Sequence, residues 1–287
     1  MTRQAPNRMR WSLVSLARRP GRHTGKLVVL ALCATVAGCA IFQNIQLNLL
    51  STEQEIGLGQ KVSAEIEKKE KLLDNAAIQT YVRDIGRGLA AVSPRQDVQY
   101  TFKVIDAPDK VNAFALPGGF MYVYTGLMRT LENEAELAGV MAHEIGHVAG
   151  RHHGESMTRQ FGYNFIMSII LGEDANALAQ LGSQLMGAAG AMYYSRDNER
   201  EADQVGMSLL FEAGYKPEAM LTLMDKLSAE DSRRGGGRAL AIFASHPPTE
   251  ERAQRLRALV EQYPKEVRDG RPLYAERYRQ KVLDVLQ

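Results

Sequence analysis

Four of the six histidines in the chain lie within residues 142–153, which read AHEIGHVAGRHH. His143 and His147 are four residues apart, so on a helix both imidazoles face the same side and can bind one zinc ion. Glu144 is turned about 100° away from His143, too far round to bind the ion well but close enough to reach a water molecule beside it. This His-Glu-x-x-His pattern is typical of zinc peptidases.

The chemistry that this pattern favours is the hydrolysis of a peptide bond. Zinc lowers the pKa of a bound water molecule to about 7. Glu144 would take the proton of that water as its oxygen attacks a peptide carbonyl, and would return the proton to the leaving amine. Apolar residues at helical spacing surround the motif, which places it on the helix that this mechanism requires.

The two histidines leave the third zinc ligand open. His153 stands where the longer pattern H-E-x-x-H-x-x-G-x-x-H places a third histidine. The alternative is a glutamate on a second helix. The stretch NEREAD offers Glu199, with Asp203 on the same helical face to accept a hydrogen bond from a ligand imidazole. Glu201 is a weaker candidate because it lies off the Asp203 face.

Periodicity predicts the elements that position these residues. The stretch VQYTFKVIDA alternates, which predicts a half-buried strand, and two short strands are expected around Pro117-Gly118-Gly119. Asn133, with Glu136 three residues later, fits a capping box at the start of the motif helix. Helical spacing predicts helices over about 51–73, 75–92, 133–150, 217–230 and 248–262, and another from Asp197 or Asn198 onward.

Residues 161–195 contain only Glu173 and Asp174 as charged residues. Their first part, FGYNFIMSIIL, is too short to span a bilayer. We expect a helix that is buried or covers the active site, and a helix that contacts a membrane surface is the alternative.

The stretch ELAGVMAHEIGHVAGRH, with NAFALPGG before it and YSRDNEREAD after it, resembles the M48 family of zinc peptidases over about residues 51–262. The resemblance implies an α+β, mostly helical, zincin-like (gluzincin) fold with a small β-sheet. It also implies one Zn²⁺ per chain, held by His143, His147 and Glu199, with Asp203 supporting a ligand histidine. The branch that the chain resembles is that of the soluble periplasmic BepA-like lipoproteins, without their helical-repeat domain.

The family pattern also affects the remaining residues of the motif. Glu144 is expected to be the catalytic base, and His152 and His153 are expected to be solvated residues after the helix. The edge of a strand in NAFALPGGFMYVY could pair with an extended substrate, although an ordinary internal hairpin explains the same residues.

His246 lies in SHPPTEER, before two prolines that fix its loop. Taken alone, it would be an exposed loop histidine. In BepA-like members a histidine in such a loop resembles a fourth zinc ligand. By that likeness His246 is a catalytic-site residue, either a self-inhibiting gate or a contact to the transition state. A closed four-ligand site is typical of structural zinc, whereas catalysis needs an open position.

The N-terminus predicts export. Residues 1–26 contain seven Arg or Lys and no Asp or Glu, and sixteen uncharged residues follow at 27–42. This is the pattern of a secretory signal, and VAGC resembles a lipobox in which Cys39 is acylated. An uncleaved signal anchor is the alternative. Ala40 favours sorting to the outer membrane, by analogy with other lipoproteins.

Composition and charge bound the remaining possibilities. The chain has 287 residues, 45% of them hydrophobic, enough for one sizeable core. We see no basic run after residue 26, which argues against nucleic acid as a partner. The expected organisation is a signal peptide (1–38), a tether (39–50), a zinc metalloprotease domain (51–262) and a charged helical tail (263–287).

The expected function is that of a zinc endopeptidase in the bacterial envelope. Its partners would be unfolded or misassembled polypeptides, and a lipid anchor would hold it on the periplasmic side of the outer membrane. A different class of protein also fits, namely a zinc-dependent assembly factor or chaperone whose metal site His246 keeps closed.

Overall fold

The computed structural model describes residues 48–186, 192–233 and 241–286. The predicted signal peptide (1–38), Cys39 and most of the predicted tether lie outside these residues. Within the described part, no helix is both long and apolar enough to span a membrane.

Helices make up most of the described structure, which confirms the predicted mostly helical α+β class. In chain order they are α1 (Thr52–Lys69), α2 (Ala76–Ala91), α3 (Thr125–Thr130), α4 (Glu134–Ala149), α5 (His152–Phe161), α6 (Tyr163–Leu171), α7 (Ala175–Met186), α8 (Arg196–Glu212), α9 (Ala219–Arg233), α10 (Ala241–Ser245), α11 (Glu250–Val260), α12 (Lys265–Asp269) and α13 (Ala275–Tyr278), and a π-helical turn follows at Arg279–Leu283.

A small three-stranded sheet lies between α2 and α4 in the sequence. Its strands are β1 (Thr101–Ile105), β2 (Ala113–Leu116) and β3 (Phe120–Tyr124). β3 is central, parallel to β1 and antiparallel to β2, so β2 is an edge strand. The predicted turn between β2 and β3 has Gly118 at φ 76°, where a side chain would be strained.

Helix α4, which carries the motif, is buried on all sides. Asn133 caps it, since its side chain accepts a hydrogen bond from the Glu136 N–H at 2.9 Å. The second half of the predicted capping box is replaced, because Glu136 accepts from Glu132 N and from Lys226 instead. A helix enclosed on every face belongs to the core and cannot be a surface helix.

A buried ion pair between Glu55 of α1 and Arg95, which follows α2, holds the end of α4. Glu55 and Arg95 are both buried and lie 2.6 Å apart, and Arg95 also donates to the Val148 carbonyl at 2.8 Å. Arg151 pairs with the same glutamate while its backbone adopts φ 59°, a left-handed conformation. This sharp turn starts α5 and folds it back against the motif helix.

Close packing of α4 against α8 brings the two motifs together. A Cβ atom at Gly146 would lie 2.6 Å from the Ala202 carbonyl oxygen, and one at Gly206 would lie 3.0 Å from the His143 Cα. Only glycine allows the helices to approach this closely. The approach sets Glu199 and Asp203, on α8, opposite the motif histidines.

Replacing Gly146 by alanine is expected to destabilise the fold by about 1–3 kcal/mol, because the added methyl group would force α4 and α8 apart. Gly88→Ala is the matched control. It lies on α2 with nothing within 4 Å of the added atom, and it should stabilise the chain by about 0.5–1 kcal/mol. Urea unfolding measures both. Equal effects of the two substitutions would contradict this account of the helix contact.

Helix α6 packs one face on α1 and leaves the other accessible. Ile166 and Ile169 are buried, and Lys61 of α1 donates to the Ile169 carbonyl at 2.8 Å. Leu171, at the end of α6, is 62% exposed. The predicted burial of this segment therefore holds for one face of the helix only.

Candidate active site

Four buried side chains converge at the contact between α4 and α8. They are His143 and His147 from α4, Glu199 from α8 and His246, which follows α10, and one ligand atom of each lies within 4.8 Å of the others. His143 Nε2 is 3.1 Å from both His147 Nε2 and His246 Nδ1. Glu199 Oε1 is 3.3 Å from His147 Nε2 and 2.9 Å from His246 Nδ1.

These separations suit a tetrahedral metal ion. Ligand atoms about 2.1 Å from a zinc ion at tetrahedral angles lie about 3.4 Å from one another. His143 Nδ1 lies 3.0 Å from Asp203 Oδ1, and because an ionised carboxylate can only accept, the tautomer with the ring proton on Nδ1 fits this contact. The lone pair on His143 Nε2 then points at the other ligand atoms, and a cation satisfies such a cluster better than hydrogen bonds do.

Asp203 orients His143 and is itself held by Arg252. The guanidinium donates to both carboxylate oxygens, at 2.8 and 2.7 Å, and all three side chains are buried. Burial alone would raise the pKa of Asp203, but Arg252 and His143 outweigh it and lower the pKa below its usual value. Arg252 also lies 2.7 Å from Glu199 Oε2, so its guanidinium group contacts the carboxylates of both Asp203 and Glu199.

Glu144 lies between the edge strand and His246. It is 1% exposed, and its Oε2 accepts a hydrogen bond from the Ala115 N–H of β2 at 3.1 Å. Burial raises the pKa of this carboxyl, although the nearby histidines oppose the change. A buried carboxyl with a raised pKa can both take up and release a proton, as a general base and acid must.

His246 is buried inside the site, which excludes the exposed loop position considered above. Its Nδ1 belongs to the metal-ligand cluster, and its Nε2 lies 3.3 Å from Glu144 Oε1. Burial would lower the pKa of this ring, but Glu199 and Glu144 reverse the effect and raise it. One side chain thus contacts both the cluster and the carboxylate beside it.

Comparison with known proteins agrees with this geometry. The profile of Peptidase family M48 matches residues 76–260. The chain belongs to peptidase family M48. The predicted family is therefore confirmed, and with it the class of metalloendopeptidase.

Three relatives illustrate the similarity of this M48 chain to curated proteins. The putative β-barrel assembly-enhancing protease of Vibrio cholerae is 29% identical over 75% of this chain and 46% of its own length. The β-barrel assembly-enhancing protease of Escherichia coli K12 is 30% identical over 71% of this chain and 43% of its own. Metalloprotease YcaL of the same strain is 37% identical over 54% and 60%. The chain spans less than half the length of the first two.

The expectation that His152 and His153 are solvated is wrong. The left-handed turn at Arg151 folds His152 and His153 back into the core of the domain, where they are 0% and 1% exposed. His152 Nδ1 lies 3.0 Å from His147 Nδ1, on the side of that ring away from the ligand cluster. His153 lies outside the cluster, with its ring 6.1 Å from the His147 ring, and burial lowers its pKa to about 3.

Three side chains at the site are not predicted by the sequence. Arg252 lies six residues after His246 in the stretch SHPPTEER, but nothing in that spacing predicts a contact with Asp203. His152 follows Gly150 at the end of the motif helix, a position that predicts exposure to solvent and not a contact with His147. The Tyr194 ring lies 4.0 Å from the His147 ring, just before the cap of α8. Glu201, the rival ligand, faces away from the cluster and lies 3.5 Å from His152 Nε2.

Proposed function

We propose that this M48 chain is a zinc endopeptidase that hydrolyses unfolded or misassembled periplasmic and outer-membrane proteins. The convergence of His143, His147 and Glu199 beside the buried Glu144 carries the proposal. The names of the β-barrel assembly-enhancing proteases support the class of substrate. Because these substrates are unfolded or misassembled, the proposed process is quality control of envelope proteins.

Zinc, held by His143, His147 and Glu199, would polarise the carbonyl of the scissile bond and lower the pKa of the attacking water. Glu144 takes one proton from that water as the new C–O bond forms. It gives the proton to the amide nitrogen as the C–N bond breaks, and the second proton of the water stays on the new hydroxyl group, which leaves a carboxylic acid and a free amine. Asp203 holds His143 in the orientation and tautomer that the site needs.

The edge strand β2 is the proposed docking site for the substrate backbone. Its Ala115 N–H points to Glu144, so a peptide that pairs with this edge would pass directly beside the catalytic carboxylate. Pairing with an edge strand recognises an extended backbone and depends little on its side chains. Unfolded chains offer such a backbone, whereas folded proteins do not.

His246 is proposed to be a self-inhibiting gate. It adds a fourth ligand atom to the cluster and contacts Glu144 at the same time, so its departure would open a position for water and release the catalytic carboxylate. The same contacts favour a second candidate function, a zinc-dependent assembly factor or chaperone in which the metal site stays closed.

Replacing Asp203 by asparagine is expected to weaken zinc binding about 10- to 100-fold, as is usual for a carboxylate that orients a ligand imidazole. Asp197→Asn is the matched control, since Asp197 lies on the same helix, is exposed and pairs with Arg200. Competition with a chelator measures both affinities. An affinity that Asp203→Asn leaves unchanged would contradict the proposed role.

The proposed location is the periplasmic face of the outer membrane. Signal peptidase would remove residues 1–38, and acylated Cys39 would anchor the tether (39–50), the protease domain (51–262) and the tail (263–287). Cys39→Ser is expected to abolish the incorporation of labelled palmitate. An unchanged chain that takes up no label and keeps its unprocessed mass would favour an uncleaved anchor.

Cleavage of an unfolded β-barrel protein tests the proposed function directly. The purified full chain with one zinc per protomer should degrade a urea-unfolded outer-membrane protein and spare the same protein once folded in detergent. A chelator should stop the cleavage and added zinc should restore it. Equal cleavage with and without the metal would contradict the proposal.

A further inference from the structure

His152 lies directly behind the proposed zinc ligand His147, and the proposed function gives it no role. The Nδ1 atoms of the two rings are 3.0 Å apart, on the side of the His147 ring away from the ligand cluster. Both side chains are 0% exposed, so bulk solvent does not reach this contact. A second buried histidine therefore contacts the one ring nitrogen of His147 that does not face the metal site.

The ligand role of His147 determines which ring carries the proton of this contact. A neutral imidazole that binds a metal ion through Nε2 carries its proton on Nδ1. His147 Nδ1 then donates and His152 Nδ1 accepts, so the proton of the His152 ring is on Nε2. That nitrogen lies 3.5 Å from Glu201 Oε2, a carboxylate oxygen that can only accept. Both contacts of His152 thus pair one donor with one acceptor.

The same kind of contact holds the other motif histidine. Asp203 Oδ1 lies 3.0 Å from His143 Nδ1, and His143 Nε2 faces the ligand cluster. Imidazoles that bind metals almost always donate their second ring nitrogen to such a partner, which fixes the orientation and the tautomer of the ring. For His147 the partner in the corresponding place is a buried imidazole instead of a carboxylate.

Two features of the backbone place the His152 ring behind His147. Arg151 has a left-handed φ of 59°, which is uncommon for residues other than glycine, and this turn directs His152 inward. Gly150 leaves room for the ring, since a Cβ atom there would lie 2.3 Å from His152 Nε2. The backbone of Gly150, with φ −73°, suits alanine equally well. The position of the His152 ring is therefore what requires a glycine here.

We propose that His152 is a positioning residue for the zinc ligand His147. It accepts the His147 Nδ1–H and so holds that ring with Nε2 toward the metal. The inference rests on the zinc site of the proposed function and adds one residue to it. Glu201 contributes little, because its carboxylate is 47% exposed and its contact with His152 is long.

The zinc affinity of the full chain, measured by competition with a chelator, tests this role. His152→Leu has a similar volume but cannot accept a hydrogen bond, and it should weaken zinc binding about 10- to 100-fold. His152→Asn should restore most of the affinity, because its Oδ1 can accept in place of Nδ1. His153→Leu is the matched control, since His153 is 1% exposed and its ring lies 6.1 Å from the His147 ring. It should leave the affinity unchanged.

Gly150→Ala tests the same contact with His152 still in the chain. Its methyl group would displace the His152 ring, so zinc affinity should fall about tenfold. Gly88→Ala, with nothing within 4 Å of the added atom, should not change the affinity. Gly150→Ala decides the question if His152→Leu does not fold.

The positions of the ring protons give a readout that packing alone would not produce. In the zinc-loaded chain labelled with ¹⁵N at histidine, NMR should find His147 protonated at Nδ1 and His152 protonated at Nε2. A proton on Nδ1 of His152 would overturn the inference, because that nitrogen could not then accept from His147.

The affinities also separate this inference from the proposed function. If the unchanged chain binds one zinc ion and His152→Leu binds it as tightly, His152 has no positioning role and the zinc site stands. If His152→Leu and His152→Asn weaken binding equally, His152 acts through packing and the inference is wrong. If the unchanged chain binds no zinc, the metal site of the proposed function fails, and the inference fails with it.

Discussion

Glu144→Gln is expected to abolish proteolysis while the chain still folds and binds one metal ion. Glutamine has nearly the same shape, so its amide oxygen can accept the hydrogen bond that the Ala115 N–H now donates to Glu144. It cannot take the proton of the attacking water, and loss of a general base lowers the rate by about 10²- to 10⁴-fold. The ligands His143, His147 and Glu199 are untouched.

The measurements are kcat/KM on an unfolded β-barrel protein, the metal content and the free energy of unfolding. Glu201→Gln is the matched control, because Glu201 lies on α8 next to the cluster and contacts only His152 among the histidines. It should keep both metal and activity. Loss of metal in this control would favour Glu201 over Glu199 as the third ligand.

The same substitution separates the two proposed functions. A peptidase needs the proton transfer, whereas an assembly factor or chaperone needs only the folded, metal-bound chain. If cells that carry Glu144→Gln keep normal outer-membrane assembly, the chaperone function is correct and proteolysis is incidental. If assembly fails although the variant is folded and metal-bound, hydrolysis is the function that the cell uses.

Local periodicity was enough to predict the motif helix and the faces of its residues. The i, i+4 spacing of His143 and His147 predicts that both rings lie on one side of α4. In the structure they do, with their Nε2 atoms 3.1 Å apart. The same spacing places Glu199 and Asp203 on one face of α8. The two faces meet because Gly146 and Gly206 let the helices approach closely. This role cannot be predicted from either helix alone, since it depends on the residues of the facing helix.

The errors come from contacts that local spacing does not encode. His152 and His153 follow a glycine at the end of a helix, a position that usually leads into solvent. Arg151 instead adopts a left-handed conformation, stabilised by the buried Glu55 of a helix about one hundred residues earlier. The bond between Arg252 and Asp203 likewise joins residues on different helices. Periodicity predicts which face a residue occupies, but it does not predict what lies opposite.

His246→Ala is expected to raise proteolysis. His246 Nδ1 lies 3.1 Å from His143 Nε2, and its Nε2 lies 3.3 Å from Glu144 Oε1, so this ring holds both the fourth position and the catalytic carboxylate. If the closed arrangement is about ten times more populated than the open one, removal of the ring raises kcat/KM about tenfold. The three ligands that remain are the number that catalytic zinc sites use.

Two further measurements make the result decisive. The metal content of His246→Ala must stay at one ion per chain, and the double variant Glu144→Gln, His246→Ala must be inactive, which would show that the added activity arises at the same site. A lower kcat/KM with the metal retained would mean that His246 contacts the transition state and assists the reaction. An unchanged kcat/KM would mean that opening the site costs no free energy. Either a lower or an unchanged kcat/KM would show that His246 is not a gate.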